Sequence, residues 1–176
     1  MISTRSVTRL VTCAAFGLSV ICAAAAPGKA ASPAPAVKEE DGKYFDKNDE
    51  PTYNVKEDGT VDWYTYNGFR RYHSECHVCH GPDGEGSSYA PALKKSLQTM
   101  SYGKFIEIVA VGIKQVNAAE NLVMPGFGDN KSVTCYLDDI YIYLKARSDE
   151  AIPRGRPAKR ADKPETAKQN EDACVK

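Results

Sequence analysis

The chain has 176 residues and is formally neutral, with 23 Lys and Arg against 23 Asp and Glu. That length holds one domain of ordinary size, or one small domain with tails. The charge balance excludes a nucleic-acid binder that lives on phosphate neutralisation, and near-average Gly (13) and Pro (10) exclude a collagen-like or wholly low-complexity chain.

The N-terminus reads as a secretory signal peptide over 1–26. Arg5 and Arg9 form a short positive region, Leu10 to Cys22 is apolar, and Ala23 to Ala26 supplies small residues near a cleavage site between 25 and 30. The apolar run is shorter than the roughly 18–20 residues a membrane span needs, so the mature chain is expected to have no span. Its destination is an oxidising compartment, the periplasm, where a disulfide is allowed. Cys76, Cys79, Cys135 and Cys174 remain after cleavage, and loss of Arg5 and Arg9 leaves a slight acidic excess.

Residues 27–61 are expected to form an irregular arm, acidic beyond 38. It either stays solvated or wraps the domain through Tyr44, Phe45, Tyr53 and Val55. The compact domain spans 62–148. A first helix is predicted from an Asp62 N-cap, with Gly68, Tyr72 and Cys76 on one face at i, i+4, i+8. A Gly/Pro/Ser loop covers 81–91. A second helix runs from Ser101 to Val111, a loop through Pro125 and Gly126 follows, and a third helix runs from Val133 to Arg147 with Leu137, Ile140, Tyr143 and Leu144 on its apolar face. The tail, 149–176, is polar and basic, and Pro153, Pro157 and Pro164 argue against a packed core there. So small a compact region suggests a buried prosthetic group.

Cys76-His77-Val78-Cys79-His80 carries the chemistry. C-x-x-C-H is the attachment signature for c-type haem: two thiols three residues apart reach the two vinyl groups of one porphyrin, and the next residue, His80, falls beneath the iron. A zinc site would need a second ligand pair, which Cys135 and Cys174 do not make. A redox dithiol belongs at a strand-to-helix junction rather than at a helix end. A structural Cys76–Cys79 bridge is geometrically awkward. Met124, in a Pro- and Gly-bearing loop, is the candidate sixth ligand; Met100 reads as ordinary core packing. His73 and His77 are tethered to the proximal side. Thioether ligation raises the potential and fills both axial positions, which points to electron transfer rather than catalysis.

Gly68-x-x-x-Tyr72-x-x-x-Cys76-x-x-Cys79-His80-Gly81, then Pro91 and Leu93, then Met124-Pro125, then Ile140-x-x-Tyr143-Leu144, resembles the class I c-type cytochromes. The resemblance implies an all-α fold, with three main helices around one covalently attached haem c, an irregular N-terminal arm and a C-terminal tail. It implies that Gly68 and Tyr72 meet Ile140 and Tyr143, that the Pro91 carbonyl holds the imidazole N–H of His80, and that Leu93 belongs to the haem pocket. Cys135 and Cys174 are extra to that pattern. They are expected to pair, pinning the tail to the third helix at a gain of roughly 4 kcal/mol in the chain-entropy model; two free thiols or pairing between chains are the alternatives.

The cysteine plan, long arm and pinned tail are similar to methanol-metabolism-related c-type cytochromes (cytochrome cL-like). This similarity implies an electron carrier, not an enzyme. Its donor would be a periplasmic quinoprotein (PQQ-dependent) alcohol dehydrogenase, and its acceptor a downstream cytochrome or terminal oxidase. The alternatives are a haem-bearing subunit of another dehydrogenase complex, or a peroxidase or gas-binding protein with a vacant distal site. Tyr89 and Phe127 are candidate contact or crevice residues.

Overall fold

The computed structural model describes residues 36–116 and 121–176; the expected signal peptide lies outside the described residues. The described part of the arm is not irregular. It carries an antiparallel meander, β1 (Lys38–Glu40), β2 (Lys43–Phe45) and β3 (Pro51–Thr52), in the order β1-β2-β3. Asp41 and Gly42 turn β1 into β2 with φ of 50° and 80°, the left-handed pair that matches hairpin twist. The arm then buries Tyr53 and Val61, 2% and 1% exposed, and the Tyr53 hydroxyl donates to Asp149 at 3.0 Å. Strands of two or three residues are too short to leave an alternating pattern in the sequence.

Helix α1 (Trp63–Glu75) starts where expected, with Asp62 accepting the Thr65 N–H at 2.8 Å. A single turn, α2 (His77–His80), follows, then a 3₁₀ turn (Pro82–Gly84) and α3 (Leu93–Ser96). Helix α4 (Tyr102–Val111) is capped by Ser101, which accepts from Lys104 N at 3.3 Å. The segment expected as a loop instead opens with a hairpin, β4 (Ile113–Val116) and β5 (Asn121–Met124), with Ile113 opposite Met124. The third helix is split into α5 (Lys131–Thr134) and α6 (Leu137–Ser148). At the break, Tyr136 leaves helical geometry (φ −130°, ψ 20°), its ring 3.4 Å from the Arg71 guanidinium, and Cys135 is bonded to Cys174.

The tail is also more ordered than its prolines suggest. Ile152 and Ala167 are each 4% exposed, Val61 N donates to Lys159 O (3.2 Å), Ala161 N donates to Val61 O (2.8 Å), and the chain ends in α7 (Glu165–Val175). Prolines deny the tail a core of its own, but it borrows one by lying along α1 and the arm. No described helix is long and apolar enough to cross a membrane.

The centre of the fold is the crossing of α1 and α6. A Cβ on Gly68 would stand 1.8 Å from the Asp139 carbonyl oxygen and 2.7 Å from Tyr143 Cβ. The crossing point is therefore Asp139 backbone and Tyr143, with Ile140 buried in the same core. The Tyr72 and Tyr143 rings lie 5.6 Å apart.

Beside the crossing, Asn67 Nδ2 donates to Asp139 at 2.7 Å. Burial pushes the Asp139 carboxyl up to about 7; the Asn67 bond and Lys43 oppose this, and Asp138 and Asp62 reinforce it. Its unfolded value is near 3.9. As pH rises between these two values, the unfolded chain has already released the proton that the native protein keeps. Stability from this group is therefore complete below about pH 4 and is lost as pH approaches 7. Asp139→Asn should remove that decline and raise stability at pH 8 by on the order of 2–4 kcal/mol. Urea melts of both proteins at pH 5 and 8 check it; parallel pH profiles would show that Asp139 is not the group.

Candidate haem-attachment site

The last turn of α1 delivers Cys76, whose N–H donates to Tyr72 O at 2.9 Å; the Cys76 carbonyl then accepts from Cys79 N (3.3 Å) and His80 N (3.1 Å). This continuity sets the two cysteines at i, i+3 on one face, with His80 beside them. Both thiols are free, Cys76 half-buried and Cys79 exposed, whereas the other described pair is bridged. Burial, with smaller contributions from Glu75 and Cys79, pushes the Cys76 thiol up to about 12. A reactive dithiol needs the opposite shift. Among the described residues no three His, Cys, Asp or Glu side chains gather as a metal site, so the zinc reading lacks its ligands.

His80 is 7% exposed, and its Nδ1 lies 2.9 Å from the Pro91 carbonyl. A carbonyl can only accept, so Nδ1 carries the proton and Nε2 keeps its lone pair. The 81–91 loop closes back on the motif. Gly86 N donates to His80 O at 2.8 Å and Ser87 N to Ala90 O at 3.0 Å, while Ser87 Oγ donates to Cys79 O. Leu93 opens α3, half-buried against the core. The Tyr72 hydroxyl donates to Gly81 O at 2.5 Å and accepts from Gly84 N at 3.1 Å. The residue that packs the helix crossing thus also ties down the loop after His80.

Sequence reasoning missed a buried polar cluster on the same side. Asp83 sits at φ 58° and accepts from Gly155 N (3.0 Å), Tyr143 hydroxyl (3.2 Å) and Arg154 Nε (3.4 Å), with His73 Nε2 at 3.5 Å. Arg147, 3% exposed, donates to Ile152 O (2.6 Å), Glu85 (2.8 Å) and Asp83 O (3.4 Å). Burial works against charge on Asp83, but these donors outweigh it and hold the carboxyl below its ordinary value. The cluster joins the proximal loop, α6 and the tail, which are far apart in the chain, so no local pattern announced it. His73 and His77 have Nδ1 2.8 Å from Phe69 O and His73 O, respectively.

Met124 ends β5 and leads into a segment seated on the end of α4. Phe127 N donates to Val109 O (2.9 Å) and Gly128 N to Ala110 O (3.0 Å), satisfying carbonyls that a helix end leaves open. Gly112 makes the turn at φ +85°, where a Cβ would lie 2.5 Å from Met124 O. Met124, Met100 and Phe127 are all half-buried against the core; Tyr89 is 86% exposed.

Two unpaired thiols one turn apart, with an imidazole oriented through Nδ1 and free at Nε2, form the donor set of covalent haem attachment, and the residues present fit that group. This helical fold with its C-x-x-C-H turn defines a c-type cytochrome domain. No family model matches the chain. It is 59% identical to cytochrome c-553I of Paracoccus denitrificans over 136 residues, which are 77% of this chain and 60% of that protein. The chain thus spans about 60% of the length of that relative. It is 45% identical to cytochrome c-555 of Methylococcus capsulatus over 96 residues, 54% of this chain and 72% of that protein. The crystal structure of the c-type cytochrome XoxG from Methylobacterium extorquens AM1 superposes with a TM-score of 0.75 at 60% identity, covering 80% of this chain and 86% of that one. The chain belongs to the c-type cytochromes, which carry covalently bound haem c.

Proposed function

We propose that this protein is a periplasmic electron carrier that accepts electrons from a PQQ-dependent methanol or alcohol dehydrogenase and passes them towards a terminal oxidase. One haem c is held by Cys76 and Cys79 and ligated by His80 and Met124. The observation that carries this reading is His80 itself, buried, with Nδ1 committed to Pro91 O at 2.9 Å beside two free thiols and a tied-down loop. When bound, the haem supplies a one-electron iron couple. The chain's own residues orient the imidazole, hold the loop around it and keep water from the proximal side. Met124 is favoured over Met100 because its strand is hydrogen-bonded to β4 and the following backbone is fastened to α4, so a thioether there is held rigidly. The methanol assignment is supported by the order of arm, haem helix and pinned tail, and by likenesses to cytochromes from Methylobacterium and Methylococcus. The arm and the tail are packed on the body and on each other, with a Cβ on Gly42 only 2.8 Å from Pro164. That favours a self-contained carrier over a subunit that lends both segments to a partner.

Oxidised holoprotein mixed with PQQ-dependent methanol dehydrogenase and methanol should show rapid reduction of the haem absorbance. Reduction by another periplasmic dehydrogenase but not by this one would refute the donor. Met124→Ala should abolish the thioether-to-iron absorption band, admit carbon monoxide, and lower the potential on the order of 100 mV, a fraction of the ~0.8 V that axial ligation spans. An unchanged potential would move the sixth ligand to Met100, and carbon monoxide binding by the unmodified protein would favour the vacant-site enzymes.

A further inference from the structure

The tail lays a set of cations along the aromatic face of α1. Arg156 Cζ is 5.4 Å from the Tyr66 ring centroid and its Nη2 donates to the Tyr66 hydroxyl. Arg160 Cζ is 5.1 Å from the Tyr66 ring and 5.0 Å from the Trp63 ring. Tyr66, Arg156, Pro157, Ala158 and Arg160 line a cleft of about 400 Å³. The neighbouring cations have carboxylates: Arg154 has Asp83 at 3.4 Å, Lys159 has Asp58 at 3.3 Å, and Lys163 has Glu171. Arg156 and Arg160 differ. Among the described residues neither guanidinium has a carboxylate within 4.0 Å, and Arg160 also donates to Ala161 O at 3.2 Å. In the same aromatic cluster the buried indole N–H of Trp63 has no acceptor. The two guanidiniums therefore bring positive charge to this cleft without a described carboxylate to balance it.

We infer that the Tyr66–Arg156–Arg160 cleft is a docking site for an acidic segment of a partner protein, whose carboxylate is taken between the two guanidiniums. Arginine forks match carboxylate oxygens in bidentate fashion, and two like charges on one cleft add their fields at its mouth. The size and lining select a peptide segment over a free inorganic ion. A small oxyanion would fill little of the volume, whereas the methylenes of an acidic side chain can lie on Pro157 and Ala158. Stacking on the aromatic rings holds both guanidiniums in place before the partner arrives. These tail residues thus acquire a role separate from the haem.

The test is a titration of the reduced holoprotein with hexaglutamate, with inorganic phosphate and with hexalysine, followed through the NMR signals of the arginine Nε–H groups and of Tyr66. Hexaglutamate should shift Arg156, Arg160 and Tyr66 and leave the Arg154 signal in place. Its affinity should fall with added salt, by about tenfold in Arg156→Gln/Arg160→Gln, and by a smaller factor in Arg156→Lys/Arg160→Lys, which keeps the charge and loses the fork. The lysine pair also provides the reading if the glutamine pair does not fold. The proposal is overturned if hexaglutamate leaves these signals unmoved, if hexalysine shifts them equally, if either double variant binds hexaglutamate as tightly as the parent, or if phosphate saturates the cleft and hexaglutamate does not.

Discussion

His80→Ala is expected to reduce the yield of holoprotein by at least about tenfold and to leave what survives without a low-spin spectrum. The substitution removes the proximal nitrogen and the donor to Pro91 O, now at 2.9 Å. The lost hydrogen bond costs about 0.5–1.5 kcal/mol, and an emptied site for a ring that is 7% exposed adds a cavity. The 81–91 loop loses one of its ties at the same moment, the one that joins Pro91 at its far end to the motif. A small domain that counts on a buried prosthetic group has little stability left to absorb such losses. Haem staining of the secreted protein and its absorbance spectrum measure the outcome. Normal incorporation with an unaltered spectrum would transfer the proximal role to another residue, His73 and His77 being the nearest in the chain.

Gly68→Val should give no folded protein at all. Even the first atom of a side chain at this position falls 1.8 Å from Asp139 O and 2.6 Å from Asp139 C. Those are backbone atoms of α6, which cannot step aside as the end of a flexible side chain can. The two helices would have to separate, undoing the Tyr72–Tyr143 contact at 5.6 Å and the Asn67–Asp139 bond at 2.7 Å. Tyr72 would also release the loop after His80. We expect a loss of more than about 5 kcal/mol, beyond the usual range for a single substitution and comparable to the whole stability of a domain. The control is Gly103→Ala: Gly103 lies in α4 with nothing within 4 Å of an added Cβ, so alanine should stabilise by roughly 0.5–1 kcal/mol through helix propensity. Thermal melts of the two variants separate them, and a cooperative, near-native melt for Gly68→Val would remove the crossing from its central place.

The elements legible beforehand were those whose signal is local and long. Asp62 as a cap, α1, α4 and most of α6 follow from capping chemistry and helical periodicity. The hairpins were not legible in the same way. The dipeptide Asp41-Gly42 is a recognised hairpin signal, but the strands it joins are three residues each. In β4 and β5 the apolar residues Val116 and Val123 remain 61% and 64% exposed, so no buried face marks them as strands. The split between α5 and α6 depends on what Tyr136 and Cys135 meet in space, Arg71 and Cys174. The tail was read by what it could bury within itself, while its order comes from pairing with Val61 and stacking on Trp63 and Tyr66.

The sequence by itself determined the attachment turn and its histidine, because two thiols and an imidazole within five residues need only one helical turn to face the same way. Through its resemblance to the class I c-type cytochromes it also pointed to Gly68 as a place where two helices meet. Only the tertiary structure decided which backbone presses on that glycine, how Asp83 and Arg147 lock the proximal loop to the tail, and which cations go unpaired. It also set the Pro91 carbonyl 2.9 Å from Nδ1 of the His80 imidazole. These depend on segments that are distant in the chain and close in space. Their positions are set by the packing of the whole domain and by the desolvation that packing imposes, and no stretch of sequence contains either.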